Sequence, residues 1–181
     1  MELVTAKLKS GPVHILSHRG TLQRALQVLS GSLNCPLVAS PRLCAEVTVY
    51  RGFGYGIGDI HALNSPEGKV AMSRKRYVRF YGKGDGFPVE LIEGTTIALS
   101  AYMLQSDNPV MEYSERSYRI ALTNHADFEG TLEYIIKTGA KYLVTDNTRS
   151  GHAVELAQEI KSRLAIEARP SSSQLSHEWG V

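Results

Sequence analysis

The spacing of hydrophobic positions changes several times along the chain, and each change predicts an element. Residues 12–16 (PVHIL) form a short apolar run of strand length. From Gly20 and Thr21 onward, Leu22, Ala25, Leu26, Leu29 and Leu33 recur near the helical period, and Asn34 and Pro36 stop the helix. Residues 36–39 predict a second strand. Ser40 and Pro41 then read as an N-cap followed by proline at the first helical position. Leu43, Val47 and Tyr50 make the apolar stripe of that helix, which ends at Gly52.

The middle is less regular. Residues 69–72, 77–81, 89–92 and 96–102 are rich in Val, Ile and aromatics and predict strands. The run GKGDG at 82–86 predicts a turn, and with it a hairpin. Residues 106–109 read as a loop. In the last third, 118–122 predict a strand. Asp127 predicts the cap of a helix carrying Phe128, Leu132, Ile135 and Ile136, with Lys137 and Gly139 as its end. Residues 141–145 (KYLVT) form a nearly continuous apolar strand of the kind buried in parallel sheets. Ser150 and Gly151 open a helix with Val154, Ala157, Ile160 and Leu164, and 165–168 predict a last strand.

Strands alternating with helices over short links imply right-handed crossovers. The expected class is α/β, with a mostly parallel or mixed sheet flanked by helices. A length of 181 residues accommodates this as one domain over 1–169, followed by a Ser-rich polar tail at 170–181.

Charge and composition narrow the chemistry. Twenty basic and 18 acidic residues leave a net charge of +2, so any cationic footprint must be local. No run approaches the roughly 18 apolar residues of a membrane span. The first residues lack the apolar core of a signal peptide, so a cytoplasmic location is expected. Cys35 and Cys44 match neither a zinc motif nor a disulfide framework and read as reduced thiols. In GFGYGIGD the glycines alternate and follow a helix, which reads as a connection rather than a dinucleotide loop. In YLVTDNTRSGHA a strand ends at Asp146 and Ser150 opens a helix, the arrangement of a ribose-phosphate loop or of a plain strand–loop–helix. Asp146 and Ser150 are thus candidate phosphate or metal residues.

The densest basic segment is SRKRYVRFYGK. Arg74, Lys75, Arg76 and Arg79 interleave with Tyr77, Phe80 and Tyr81, and on a strand Tyr77, Arg79 and Tyr81 share one face. Cations neutralise phosphates and aromatic rings stack on unpaired bases, so Arg74, Lys75, Arg76, Tyr77, Arg79 and Tyr81 are candidate nucleic-acid contacts. The competing explanation is an edge strand that charge protects from aggregation.

Of six histidines, His14, His61 and His177 read as structural or solvent-facing. His125 stands where a strand ends and a helix begins, in TNHADF, with Asp127 placed to orient an imidazole or to cap the helix. The segment from Thr123 to Phe128, then Glu129 to Gly139 and the strand KYLVT, resembles the C-terminal part of metallo-β-lactamase-fold nucleases of the β-CASP group, RNA-processing enzymes with DNA-repair relatives. More weakly, GPVHILSHRGTLQRALQVL and CPLVASPRLCAEVTVYRGFG resemble that group's Rossmann-like insert. The likeness covers about residues 11–165, with 11–115 similar to the insert and 116–169 to the final lactamase-fold segment.

This resemblance implies a hydrolase lineage, with RNA or single-stranded nucleic acid as partner and His125 and Asp127 as catalytic residues. It implies a zinc pair that this chain does not supply. The H-x-H-x-D-H motif is absent, and the position of the later zinc histidine falls near Thr145 or Asp146. A carboxylate alone makes no zinc site. No metal or other cofactor is therefore expected, and zinc only where a partner chain carries the missing half. Three readings stay open: a nuclease-related protein not catalytic alone, a noncatalytic nucleic-acid-binding or assembly module, and a phosphoribosyl-type or other small-molecule phosphate-binding α/β protein. Homo-oligomerisation is also left open.

Overall fold

The α/β expectation holds in the computed structural model, which describes residues 1–82, 84–87, 93–101, 108–148 and 152–171. The chain divides into two compact units, Met1–Asn124 and His125–Val181, each with its own core.

The first unit runs α1 (Glu2–Lys7), β1 (Val13–Leu16), α2 (Thr21–Ser30), β2 (Leu37–Ala39), α3 (Pro41–Gly52), β3 (His61–Ala62), α4 (Pro66–Ser73), β4 (Val78–Tyr81), β5 (Thr95–Ser100), β6 (Val110–Ser114) and β7 (Ser117–Ala121). Its seven strands lie in the order β3-β2-β4-β1-β5-β7-β6. All neighbours pair in parallel except the β6–β7 hairpin. Alternation along each strand builds the core. Val13 and Ile15, Leu37 and Ala39, Val78 and Phe80, and Ile97 pack with Val4 and Leu8 of α1 and its exit, Leu22, Ala25, Leu26 and Leu29 of α2, and Leu43 and Val47 of α3. Ser40 caps α3 as its sequence predicts, its Oγ accepting from the Leu43 amide.

Three expectations fail here. Residues 69–72 are helical, part of α4, because Ser65 caps Pro66 just as Ser40 caps Pro41: its Oγ accepts from the Gly68 amide. Gly68 is needed there, since a Cβ would stand 2.0 Å from the Ala62 carbonyl oxygen. No hairpin follows β4, because both its edges are taken in parallel by β1 and β2. For the same reason β4 is not an edge strand. The expected strand at 89–92 lies outside the described residues.

The second unit contains α5 (Phe128–Thr138), β8 (Tyr142–Thr145), α6 (Ala153–Leu164) and β9 (Glu167–Pro170). Leu132 and Ile135 of α5 meet Ala157 and Ile160 of α6 and Ala168 of β9. Gly139 ends α5 in the left-handed conformation, at φ 65°, as the sequence predicts. β8 pairs in parallel with β9 alone, in a separate two-stranded sheet. The apolar run 141–145 is therefore not a buried sheet strand: Tyr142 is 45% and Val144 54% exposed. Among the described residues no helix is long and apolar enough to cross a membrane.

Candidate functional site

From β1 the chain runs through α2 and α3 to β2 and β3 on one side of the sheet. From β4 it returns to β5 on the other side of β1. The connection leaving β1 passes β4 to reach β2, and that leaving β4 passes β1 to reach β5, so two adjacent strands send their connections in opposite directions, as at the switch points where open α/β sheets form a ligand crevice at their strand C-termini. A cavity of about 340 Å³ opens there, lined by residues that follow β1 (His18, Arg19, Leu22), β2 (Ser40, Arg42, Leu43, Glu46) and β4 (Gly82, Asp85).

Arg19, Ser40, Arg42, Glu46 and Asp85 of this crevice are each held by a nameable interaction, Ser40 by capping α3. Glu46, one turn into α3, is the hub: its Oε1 accepts from Arg19 Nη2 at 2.6 Å and faces Arg42 Nε at 3.4 Å. Its Oε2 accepts from Gln23 Nε2 at 2.9 Å. Gln23 is only 2% exposed, and its own oxygen accepts from the Gly20 amide at 2.6 Å. Gly20 itself sits at φ 87°, a conformation that favours glycine at the start of α2. After β4, Asp85 folds back over a tight turn, its Oδ2 accepting from the Gly82 amide at 2.8 Å. Guanidiniums at the start of helices can clasp an anion by donating to it, and a carboxylate opposite can accept from hydroxyls.

The sequence-predicted residues fall elsewhere. His125 and Asp127 begin the second unit and are exposed. Asp127 is the N-cap of α5, its Oδ1 accepting from the Gly130 amide at 2.7 Å. Arg74, Lys75 and Arg76 are exposed in the α4–β4 connection, where Lys75 takes φ 55° and its Nζ lies 3.4 Å from Glu93 Oε1. Tyr77 and Arg79 are half-buried and Tyr81 is 3% exposed. Arg79, Tyr81 and His14 share the sheet face opposite the core of Val13, Ile15 and Phe80, as the strand alternation requires. The Arg79 guanidinium lies 4.4 Å from the centre of the Tyr81 ring, and its Nε is buried with no hydrogen-bond partner among the described residues. His14 is 2% exposed, with Nε2 3.0 Å from the Glu93 carbonyl and Nδ1 3.4 Å from the Tyr81 hydroxyl. Burial pushes its pKa down; the Glu93 carbonyl opposes that, and the Arg79 and Arg116 guanidiniums add to it.

Asp146 follows β8 and accepts from the Thr148 amide at 2.9 Å; Ser150, Lys83, His177 and the tail 172–181 lie outside the described residues. Among the described residues no three His, Cys, Asp or Glu side chains gather into a metal-binding group, so the zinc pair implied by the resemblance does not fit them.

The crevice escaped the sequence because its residues are scattered between positions 18 and 85. One signal was present: both His18-Arg19-Gly20 and Ser40-Pro41-Arg42 join a strand to a helix and carry an arginine. No protein-family model matches this chain, and no curated protein matches it.

Proposed function

We propose that the protein is a nuclease-related protein of RNA processing that holds a phosphate of its substrate in the crevice over β1, β2 and β4. The observation that supports this reading is the crevice itself: two arginines, Arg19 and Arg42, line a cavity at the C-terminal ends of parallel strands. Arg19 is tied to Glu46 by a short bond, whereas Arg42 meets it through Nε at 3.4 Å, and among the described residues its terminal nitrogens remain for an anion. The exposed Arg74, Lys75 and Arg76 precede β4 and the crevice follows it, so cations stand at both ends of that strand. In the group that the chain resembles, the histidine matching His125 assists phosphodiester cleavage. His125 would enter a composite site whose zinc-binding half a partner chain carries. The cavity's modest size favours a second reading, a binder of small phosphorylated molecules, since about 340 Å³ is near the lower end for ligand pockets.

Fluorescence polarisation of labelled single-stranded RNA tests the proposal. Binding should weaken steeply with salt. Replacing Arg19 and Arg42 together by alanine should weaken it by about tenfold or more, each charged hydrogen bond being worth about 1.5–3 kcal/mol. RNA binding unchanged in the double variant would overturn the crevice as its seat. No RNA binding, with retained binding of a sugar phosphate, would favour the second reading.

A further inference from the structure

The carboxylate that faces the crevice from β4 has an unused side. Asp85 gives Oδ2 to the Gly82 amide, and Oδ1 has no hydrogen-bond partner among the described residues. No cation pairs with it among the described residues, in contrast to Glu46, which meets two arginines. The turn that carries it is closed twice, since the Asp85 amide also donates to the Gly82 carbonyl at 3.1 Å. Asp85 is therefore a fixed, acceptor-only group in a cavity otherwise rich in donors. β4 lies between β2 and β1 in the sheet, so the Asp85 turn emerges between the first turn of α3, which carries Arg42 after β2, and the loop that carries Arg19 after β1.

We infer that Asp85 accepts a hydrogen bond from the ribose 2-hydroxyl, so that the crevice takes a ribose phosphate in preference to its 2-deoxy counterpart. The inference rests on the reading of the crevice as a phosphate site and adds the sugar to it. A phosphate would repel Asp85, whereas an adjacent hydroxyl satisfies it. A ligand that lacks the hydroxyl leaves a desolvated carboxylate oxygen unpaired, and such losses are what polar sites discriminate by. Arg19 and Arg42 hold the phosphate and Asp85 reads the sugar beside it. The same preference would separate an RNA terminus from a DNA terminus.

Calorimetric titration with adenosine 5′-monophosphate, 2′-deoxyadenosine 5′-monophosphate and ribose 5-phosphate tests this. The ribonucleotide should bind about fivefold tighter or more than the deoxynucleotide, and ribose 5-phosphate should bind without a base. In Asp85→Asn the single amide oxygen is needed by the Gly82 amide, which turns an NH2 donor toward the crevice. The preference should then fall below about twofold, with the deoxynucleotide gaining affinity because neither the repelling charge nor the unpaired carboxylate oxygen remains. Asp85→Ala serves as a second variant with the same expectation, its fold checked by circular dichroism. Equal affinity of the two nucleotides for the unmodified protein would overturn the inference and leave the phosphate site standing. Failure of all three ligands and of single-stranded RNA to bind would overturn the phosphate reading itself.

Discussion

Gln23 and Glu46 are joined side chain to side chain, Gln23 Nε2 donating to Glu46 Oε2 at 2.9 Å, although they belong to different helices. The buried amide is itself fixed by the Gly20 N–H, so the start of α2 determines where the carboxylate of α3 stands. Arg19 and Arg42 follow the carboxylate. Position is thus handed from backbone to amide to carboxylate to the two cations of the crevice.

Gln23→Leu keeps the volume and removes both bonds. The Gly20 N–H loses its acceptor and Glu46 its buried donor, at a cost of about 1–3 kcal/mol. For a chain of this size each kcal/mol lowers the melting temperature by about 2–4 °C. Urea denaturation should show the loss, and RNA affinity should fall with it because the arginines lose their anchor.

Arg79→Met should raise stability by about 1 kcal/mol, because a desolvation penalty outweighs an attraction at this position. The cation over the Tyr81 ring stabilises the fold by about 0.5–1 kcal/mol. The buried Nε, without a partner among the described residues, costs about 1–3 kcal/mol, and the apolar chain of methionine removes that cost. A denaturation midpoint that falls would show that Arg79 has a stabilising partner in solution.

His14 makes stability depend on pH. Its ordinary pKa of 6.5 is lowered in the fold, first by burial. Between the folded value and 6.5 the unfolded chain binds the proton more readily, so stability rises with pH across that window. The contribution is fully present above 6.5 and is lost as pH falls through the folded value. Denaturation between about pH 7.5 and about pH 5.5 should therefore show a steeper decline for the native protein than for His14→Gln. Glutamine keeps a donor for the Glu93 carbonyl but cannot titrate. Parallel declines would remove His14 as the cause.

Asp127 separates capping from chemistry. Asp127→Ala should cost the second unit about 1 kcal/mol through loss of the bond to the Gly130 amide. Asp127→Asn caps about as well and should stay within about 0.5 kcal/mol of the native protein. If Asp127 also acts on substrate in a reconstituted complex, Asp127→Asn should lose activity without losing stability. A variant that keeps both would leave the residue with its cap alone.

What was legible in the sequence was local. The helix of Leu22 to Leu29 and the one capped by Asp127 follow from spacing and caps, and both form. Ser40-Pro41 identified one helix start; the equivalent Ser65-Pro66 was hidden by reading residues 69–72 (KVAM) as a strand around Val70, where local β-propensity yielded to a cap and to packing on β2 and β3. α1 carries too few apolar residues for a period to show. The exposure of Tyr142 and Val144 could not be read, since an apolar run looks the same whether one partner strand flanks it or two. The crevice is non-local in a stronger sense: it exists only because β4 stands between β1 and β2, and no window of sequence contains that arrangement.

That insertion also sets an order of assembly. β1 and β2 are close in sequence but never touch, and the gap between them waits for residues 78–81. Until β4 has left the ribosome, both strands present open edges, and α2 and α3 have only part of their sheet to cover. Completion of the sheet centre is therefore a late, long-range event, of the kind that slows folding and exposes a nascent chain to aggregation. A chain stalled before residue 78 would hold Arg19, Arg42 and the Glu46 hub, but without the central strand it would have no crevice.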